Sequence, residues 1–281
     1  MRLTGKQWTW LVILLILLIT VILLTTEPWK ISSSALSGAL EPETPPAWIH
    51  IHWSSLEMGY PSAHTTDTIL SYQGFDLGYN EKNEQASWVV YVLTRKKVET
   101  VIAERTDHFR PDTSIRSGSA ELEDYRGSGY DRGHLAPAGD MRWSLPAMEE
   151  SFLLSNMSPQ QPGFNRGIWR KLEEQVRKWA VEKDSIYVIT GPVLDPILDT
   201  IGKNEVGVPG AYFKVLVDLS PPDFSMVAFL IPNQSSNLAL PSFEITVDSL
   251  EKLTGYDFFA GAPDQESVEW LERNLQLENW K

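Results

Sequence analysis

The strongest constraint on what this chain can become lies at its amino end. Residues 8–26 are almost wholly apolar, and no charged side chain interrupts the run from Trp10 to Leu24. About 20 such residues are enough to cross the hydrocarbon core of a bilayer as one helix. Arg2 and Lys6 precede the run and Glu27 follows it, so the positive-inside rule keeps the short amino end in the cytoplasm and sends the rest outside. A cleaved signal peptide would have a shorter apolar stretch followed closely by small residues. Here the run ends Thr25-Thr26-Glu27-Pro28-Trp29, and the small residues at 32–39 come later. We therefore expect residues 1–30 to be a cytoplasmic stub and uncleaved signal anchor. The chain is then membrane-bound through residues 8–26, with its remainder periplasmic or extracellular; cleavage would make it secreted.

Residues 31–47 are rich in Ser, Pro and Glu, including Glu41-Pro42-Glu43-Thr44-Pro45-Pro46, and read as a partly extended linker. The globular domain is expected over 48–281, long enough for one sizeable core. Four apolar runs read as strands: 88–94, 185–190, 212–217 and 226–231. Helices are expected at 146–154, 166–182, 242–254 and 264–275. Within the second, Trp169, Leu172, Val176 and Trp179 follow helical spacing, and the two tryptophans read as core. Strand runs with inserted helices make an α+β class with an antiparallel central sheet.

Chemistry concentrates in Tyr130-Asp131-Arg132-Gly133-His134-Leu135-Ala136-Pro137-Ala138-Gly139-Asp140. It holds one of only five histidines, the side chain whose unperturbed pKa lets it accept a proton near neutrality. Arg132 adds a permanent positive charge suited to an anion, and Gly133 lets the backbone approach a neighbour closely. We expect His134 to stand in a loop flanked by these residues. Downstream come Asn156-Met157-Ser158-Pro159-Gln160 and then Asn165-Arg166-Gly167-Ile168-Trp169-Arg170-Lys171-Leu172-Glu173. The D-R-G-H box, the N-M-x-P-Q turn and the N-x3-W-x2-L-E segment, in this order and spacing, resemble the DNA/RNA non-specific endonucleases. These are the ββα-metal nucleases of the endonuclease G type. The resemblance runs from about Tyr60, through Leu93-Thr94 and Thr190-Gly191-Pro192, to Leu253-Thr254-Gly255.

It implies a ββα-metal nuclease fold and a metal-dependent, sugar-non-specific hydrolase acting on DNA and RNA. His134 would be the general base and Asn165 the ligand of one magnesium ion, with manganese as the alternative metal. Magnesium suits this donor set because it keeps several waters and needs few protein ligands. On one regular helix Asn165 and Glu173 would differ by about 80°, placing Glu173 to hold a metal-bound water. Arg105 is the first choice for a phosphate-binding arginine and Arg110 the second. Asp131 is expected to orient its surroundings by hydrogen bonding; Arg132 either meets phosphate or pairs with an acid. Asn156 either supports metal or phosphate or forms an Asx-type turn.

The net charge of -13 sits awkwardly with a nucleic-acid substrate, since phosphate binding favours a basic patch. Nine arginines, from Arg105 to Arg177, nevertheless fall in the segment that carries the motifs. A basic cleft on an acidic body reconciles the two. The absence of cysteine removes disulfides and thiolate metal sites, and the glycines at 127 and 129 lack the lysine that a nucleotide-binding P-loop needs. His50 and His52 share a strand face but have no third ligand nearby. Two rivals stay open: a catalytically silent nucleic-acid-binding or scaffold protein on the same fold, and a phosphodiesterase for another substrate. Oligomeric state, a homodimer included, is not legible.

Overall fold

The computed structural model describes residues 59–62, 67–218, 220 and 224–280. The expected anchor and linker lie outside these residues, as do His50, His52 and His64. Among the described residues no helix is long and apolar enough to cross a membrane.

Eleven strands follow in chain order among the described residues: β1 (Thr68–Ser71), β2 (Asp76–Asn80), β3 (Gln85–Thr94), β4 (Asp131–His134), β5 (Met157–Gln160), β6 (Ser185–Pro192), β7 (Ile197–Ile201), β8 (Val206–Pro209), β9 (Ala211–Asp218), β10 (Ser225–Pro232) and β11 (Glu244–Ile245). Seven of them form one sheet in the order β1-β2-β3-β6-β9-β10-β11, antiparallel throughout. β4 pairs with β5, and β7 with β8, as separate two-stranded ladders. The four apolar runs foreseen as strands are β3, β6, β9 and β10, four of the five inner strands.

These inner strands read as nearly continuous apolar runs because both faces of the sheet are covered. On β9, Tyr212 and Leu216 join one core while Phe213, Val215 and Val217 join the other, as the alternation of strand side chains requires. Helices α1 (Arg95–Glu99), α2 (Leu122–Tyr125) and α3 (Leu145–Ser151) precede the long α4 (Arg170–Glu182). Leu172, Val176 and Trp179 of α4 are buried in the Tyr212/Leu216 core. On the opposite face α5 (Val247–Thr254) and α6 (Gln265–Arg273) bury Val247, Leu250, Val268 and Leu271. Thr246 and Asp264 cap these two helices by accepting from Ser249 N and Ser267 N, and Gly255 at φ 74° ends α5 in the left-handed region.

Three expectations change. The D-R-G-H box is the strand β4, not a loop, with Gly133 opposite Ser158 and His134 opposite Met157. The helix expected from 166 starts regularly only at Arg170: Phe164–Trp169 wind as a wider π turn broken at Gly167 (φ -106, ψ -108). The rotation of a regular helix therefore does not relate Asn165 to Glu173. The helix expected from 242 begins at Val247, because Leu240–Phe243 form a 3-10 turn and Glu244–Ile245 pair with the edge of β10.

Candidate active site

Side chains of β4, of the turn before α4 and of α4 itself line a cleft of about 490 Å³, with Arg105 and residues 137–139 completing it; β5 backs β4 as its ladder partner. Gly133 leaves room for a neighbour: a Cβ there would stand 2.0 Å from Gln160 Cδ, so any other residue would displace the Gln160 side chain from its buried position. Asn156 secures the chain just past His134. Its Oδ1 accepts from Ala136 N at 2.9 Å, while its Nδ2 donates to Ala136 O at 3.0 Å and Ser151 O at 2.8 Å. It is fully buried behind the cleft, and its amide is committed to positioning backbone.

His134 is only 9% exposed. Its ring meets Phe152 edge-on at 4.9 Å and Phe109 at 5.7 Å between centroids, and its Nε2 is buried without a hydrogen-bond partner. Burial first, then the guanidiniums of Arg105 and Arg132, holds the imidazole pKa down to about 3. The ring is therefore neutral at pH 7, the form that can accept a proton.

Asp131 is a hydrogen-bond acceptor for two neighbouring side chains. It accepts from Asn165 Nδ2 at 2.9 Å and from Arg166 through Nε at 2.8 Å and Nη2 at 2.6 Å. Arg132 is thus not its partner. A carboxylate only accepts, so the amide nitrogen of Asn165 faces Asp131 and its carbonyl oxygen is left for a cation. Among the described residues no group of three or more His, Asp or Glu is placed to hold a metal ion. One amide oxygen beside a carboxylate fits an ion such as magnesium, which retains most of its waters.

Arg105, Arg132, His134, Asn165 and Glu173 all line the cleft, with Arg166, Arg170 and Arg177 adding to its basic character. Arg110 does not. Its Nη1 donates to Glu149 O at 2.9 Å, and its backbone pairs with Leu153 in a parallel bridge. It anchors the segment that brings Arg105 into the cleft. Of the two candidates, Arg105 lines the cleft and Arg110 does not.

Behind the cleft-lining Glu173 and Arg177 lie two buried charges absent from the sequence reading of the site, Asp140 and Lys214. Asp140, 1% exposed, accepts from Tyr91 Oη and Arg177 Nη1, both at 2.8 Å. Lys214 is fully buried, its ammonium 4.9 Å from the Trp169 ring centroid. Burial pushes the Glu173 carboxyl upward, opposed chiefly by Lys214; burial pushes Lys214 down, opposed chiefly by Glu173. Glu173 and Arg177 of α4 thus form, with Asp140 and Lys214, a set of two acids and two bases. One signal was available: Lys214 alternates with Tyr212 and Leu216 on an otherwise apolar strand face. Phe109 and Phe152 gave none, because an aromatic beside a cleft reads as core.

The sequence profile of the DNA/RNA non-specific endonuclease family matches residues 55–265. The chain belongs to that family. As a member it is a hydrolase of the endonuclease type. It is 36% identical over 222 residues to Nuclease C1 of Cunninghamella echinulata var. echinulata, covering 73% of this chain and 87% of that protein. It is 35% identical over 204 residues to mitochondrial Endonuclease G of Homo sapiens, covering 68% of this chain and 69% of that one. Its fold matches a chain in the crystal structure of the EndoG/EndoGI complex with a TM-score of 0.69 at 33% identity, over 75% of this chain and 93% of the other. The family's mixed fold with its antiparallel sheet is the one described above.

Proposed function

We propose that this family member hydrolyses phosphodiester bonds of both DNA and RNA, with His134 as general base and a single magnesium-type ion on Asn165. The observation that carries it is the convergence, in one cleft, of a neutral buried imidazole, an uncommitted amide oxygen and the Arg105 and Arg132 guanidiniums. A bound divalent cation would relieve charge on the phosphate and stabilise the leaving oxygen. Arg105 and Arg132 hold the phosphoryl oxygens. An anionic phosphodiester seated between them offsets the positive field that depresses His134, so the base gains strength once substrate is bound. His134 then takes the proton of the attacking water. Glu173 faces the same space, where it can order the ion's hydration shell. Contacts made to phosphate carry no base or sugar information, which supports indifference to DNA or RNA. The basic cleft also answers the objection raised by the acidic whole.

The test is incubation of the full-length chain, in detergent, with plasmid DNA and with RNA. Magnesium should support cleavage of both, chelator should abolish it, and added salt should slow it steeply. Undiminished cleavage in chelator would overturn the metal dependence. No cleavage of either polymer would overturn the nuclease reading, leaving a silent binding protein if the polymers still bind. Cleavage of a small aryl phosphodiester alone would point to another substrate.

The amino-terminal sequence extends the proposal to an anchored enzyme, residues 48–281 being held outside the cytoplasm on the 31–47 linker. The uninterrupted apolar run and the Arg2/Lys6 flank support this. Amino-terminal sequencing should find the mature chain beginning at or near Met1. A start near residue 30 to 40 would show cleavage and a secreted protein instead.

A further inference from the structure

Most arginines at or beside the cleft have their donors committed. Arg166 is forked onto Asp131, Arg177 bonds Asp140 at 2.8 Å, and Arg110 bonds Glu149. Arg105 gives its Nε to Asp107 at 2.6 Å, and Arg170 stands 3.8 Å from Glu174. Arg132 differs. Among the described residues its side chain has no hydrogen bond and no ion pair; its ordered contact is the face of Phe109, with the guanidinium carbon 4.3 Å from the ring centroid. A guanidinium lying on a ring is attracted by the ring's quadrupole while its N–H groups stay free at the edge. Arg105 repeats the arrangement, 5.1 Å from the Phe152 ring. Phe109 and Phe152 are themselves in edge contact at 5.0 Å. Phe109 is half-buried and packs against two small apolar clusters, one with Leu154 and Met157, the other with Ala138 and Phe152. Its ring is therefore held on several sides while its face supports the arginine.

We propose that Phe109 is a positioning residue of the nuclease site, whose ring face holds the Arg132 guanidinium ready for a phosphate without occupying its donors. This rests on the nuclease reading above and adds how the phosphate-binding arginine is oriented. A carboxylate partner would hold Arg132 equally still, but would compete with the phosphate for the same N–H groups.

The test is binding, which is independent of metal and base. The full-length chain in detergent, with chelator present, is titrated against a short fluorescent phosphorothioate oligonucleotide and read by anisotropy. Phe109→Leu keeps an apolar side chain but removes the ring face; Phe109→Tyr keeps the face. We expect Phe109→Leu to weaken binding about 2- to 5-fold, the range of an exposed cation–π contact, and Phe109→Tyr to restore it. In an Arg132→Ala background, Phe109→Leu should weaken binding no further. Equal loss in the Leu and Tyr variants would overturn the proposal, as would a Phe109→Leu effect that persists undiminished without Arg132. Thermal unfolding of each variant identifies loss of fold, and the Tyr variant still decides if the Leu variant does not fold. Wild-type protein that fails to bind the oligonucleotide would overturn the nuclease reading as well; normal wild-type binding with a failed cycle overturns the role of Phe109 alone.

Discussion

Replacing His134 by alanine should lower the cleavage rate by about 10²–10⁴-fold, the usual contribution of a general base, while leaving oligonucleotide binding close to wild type. The ring stands among Phe109 and Phe152, so the substitution opens space in a buried spot and some loss of thermal stability should accompany it. That loss is measured separately by unfolding. Activity within a few fold of wild type would remove His134 from the role. The environment makes a second prediction of definite sign. Burial, then Arg105 and Arg132, depresses the imidazole pKa to about 3, so acidification from pH 8 to 5 should not protonate the ring in the free protein. The His134 resonances in an NMR titration should stay flat over that range. A midpoint near the ordinary value of about 6.5 would mean the ring is more hydrated than its packing indicates. Bound substrate should move the midpoint upward, because the phosphate offsets the guanidinium charge.

Asn165→Ala should have the other large effect, on the metal. With the amide oxygen gone, no protein donor is left at that position, and calorimetric titration of magnesium into substrate-free protein should show the greatest loss of affinity of any single change in the cleft. Glu173→Ala should cost less, in the range of about 10–100-fold typical of residues that act through a ligand's surroundings. Asp131→Asn should fall with it. Its second acceptor oxygen becomes a donor, so the hydrogen bond that turns Asn165 (2.9 Å) and the fork from Arg166 no longer coexist. A greater loss from Glu173→Ala than from Asn165→Ala would transfer the ligand role to the carboxylate. Cleavage should follow the same order, but the affinity measurement separates metal binding from every later step.

How the site could be read in advance depended on which contacts are local. His134, Asn165 and Glu173 stand out because their spacing to glycine, tryptophan and leucine is kept along the chain. The inner strands stand out because burial on both faces makes them long apolar runs. The short strands β4 and β5 carry Gly, Pro, Ser and Gln instead of an apolar period. In the pair the Gln160 side chain lies over Gly133, diagonally across the ladder, which neither segment reveals alone. The same holds for the choice between Arg105 and Arg110. Both lie five residues apart in one irregular segment, and only the pairing of Arg110 with Leu153 and Glu149 shows which of them faces the cleft.

By itself, the sequence determined the chemical inventory: an imidazole, an amide, a carboxylate and a surplus of arginine in one segment, behind an apolar run fit for a bilayer. It also determined the class of fold, because periodicity records which residues must leave water. Tertiary structure alone decided how each charge is employed. Arg166 rather than Arg132 takes Asp131, Lys214 and Asp140 lie buried behind Glu173 and Arg177, and two phenylalanines carry the cleft's forward arginines. The physical reason is that electrostatic partnership follows distance and burial in space. Lys214 and Glu173 are 41 positions apart in the chain, yet each is the principal charge opposing the other's desolvation.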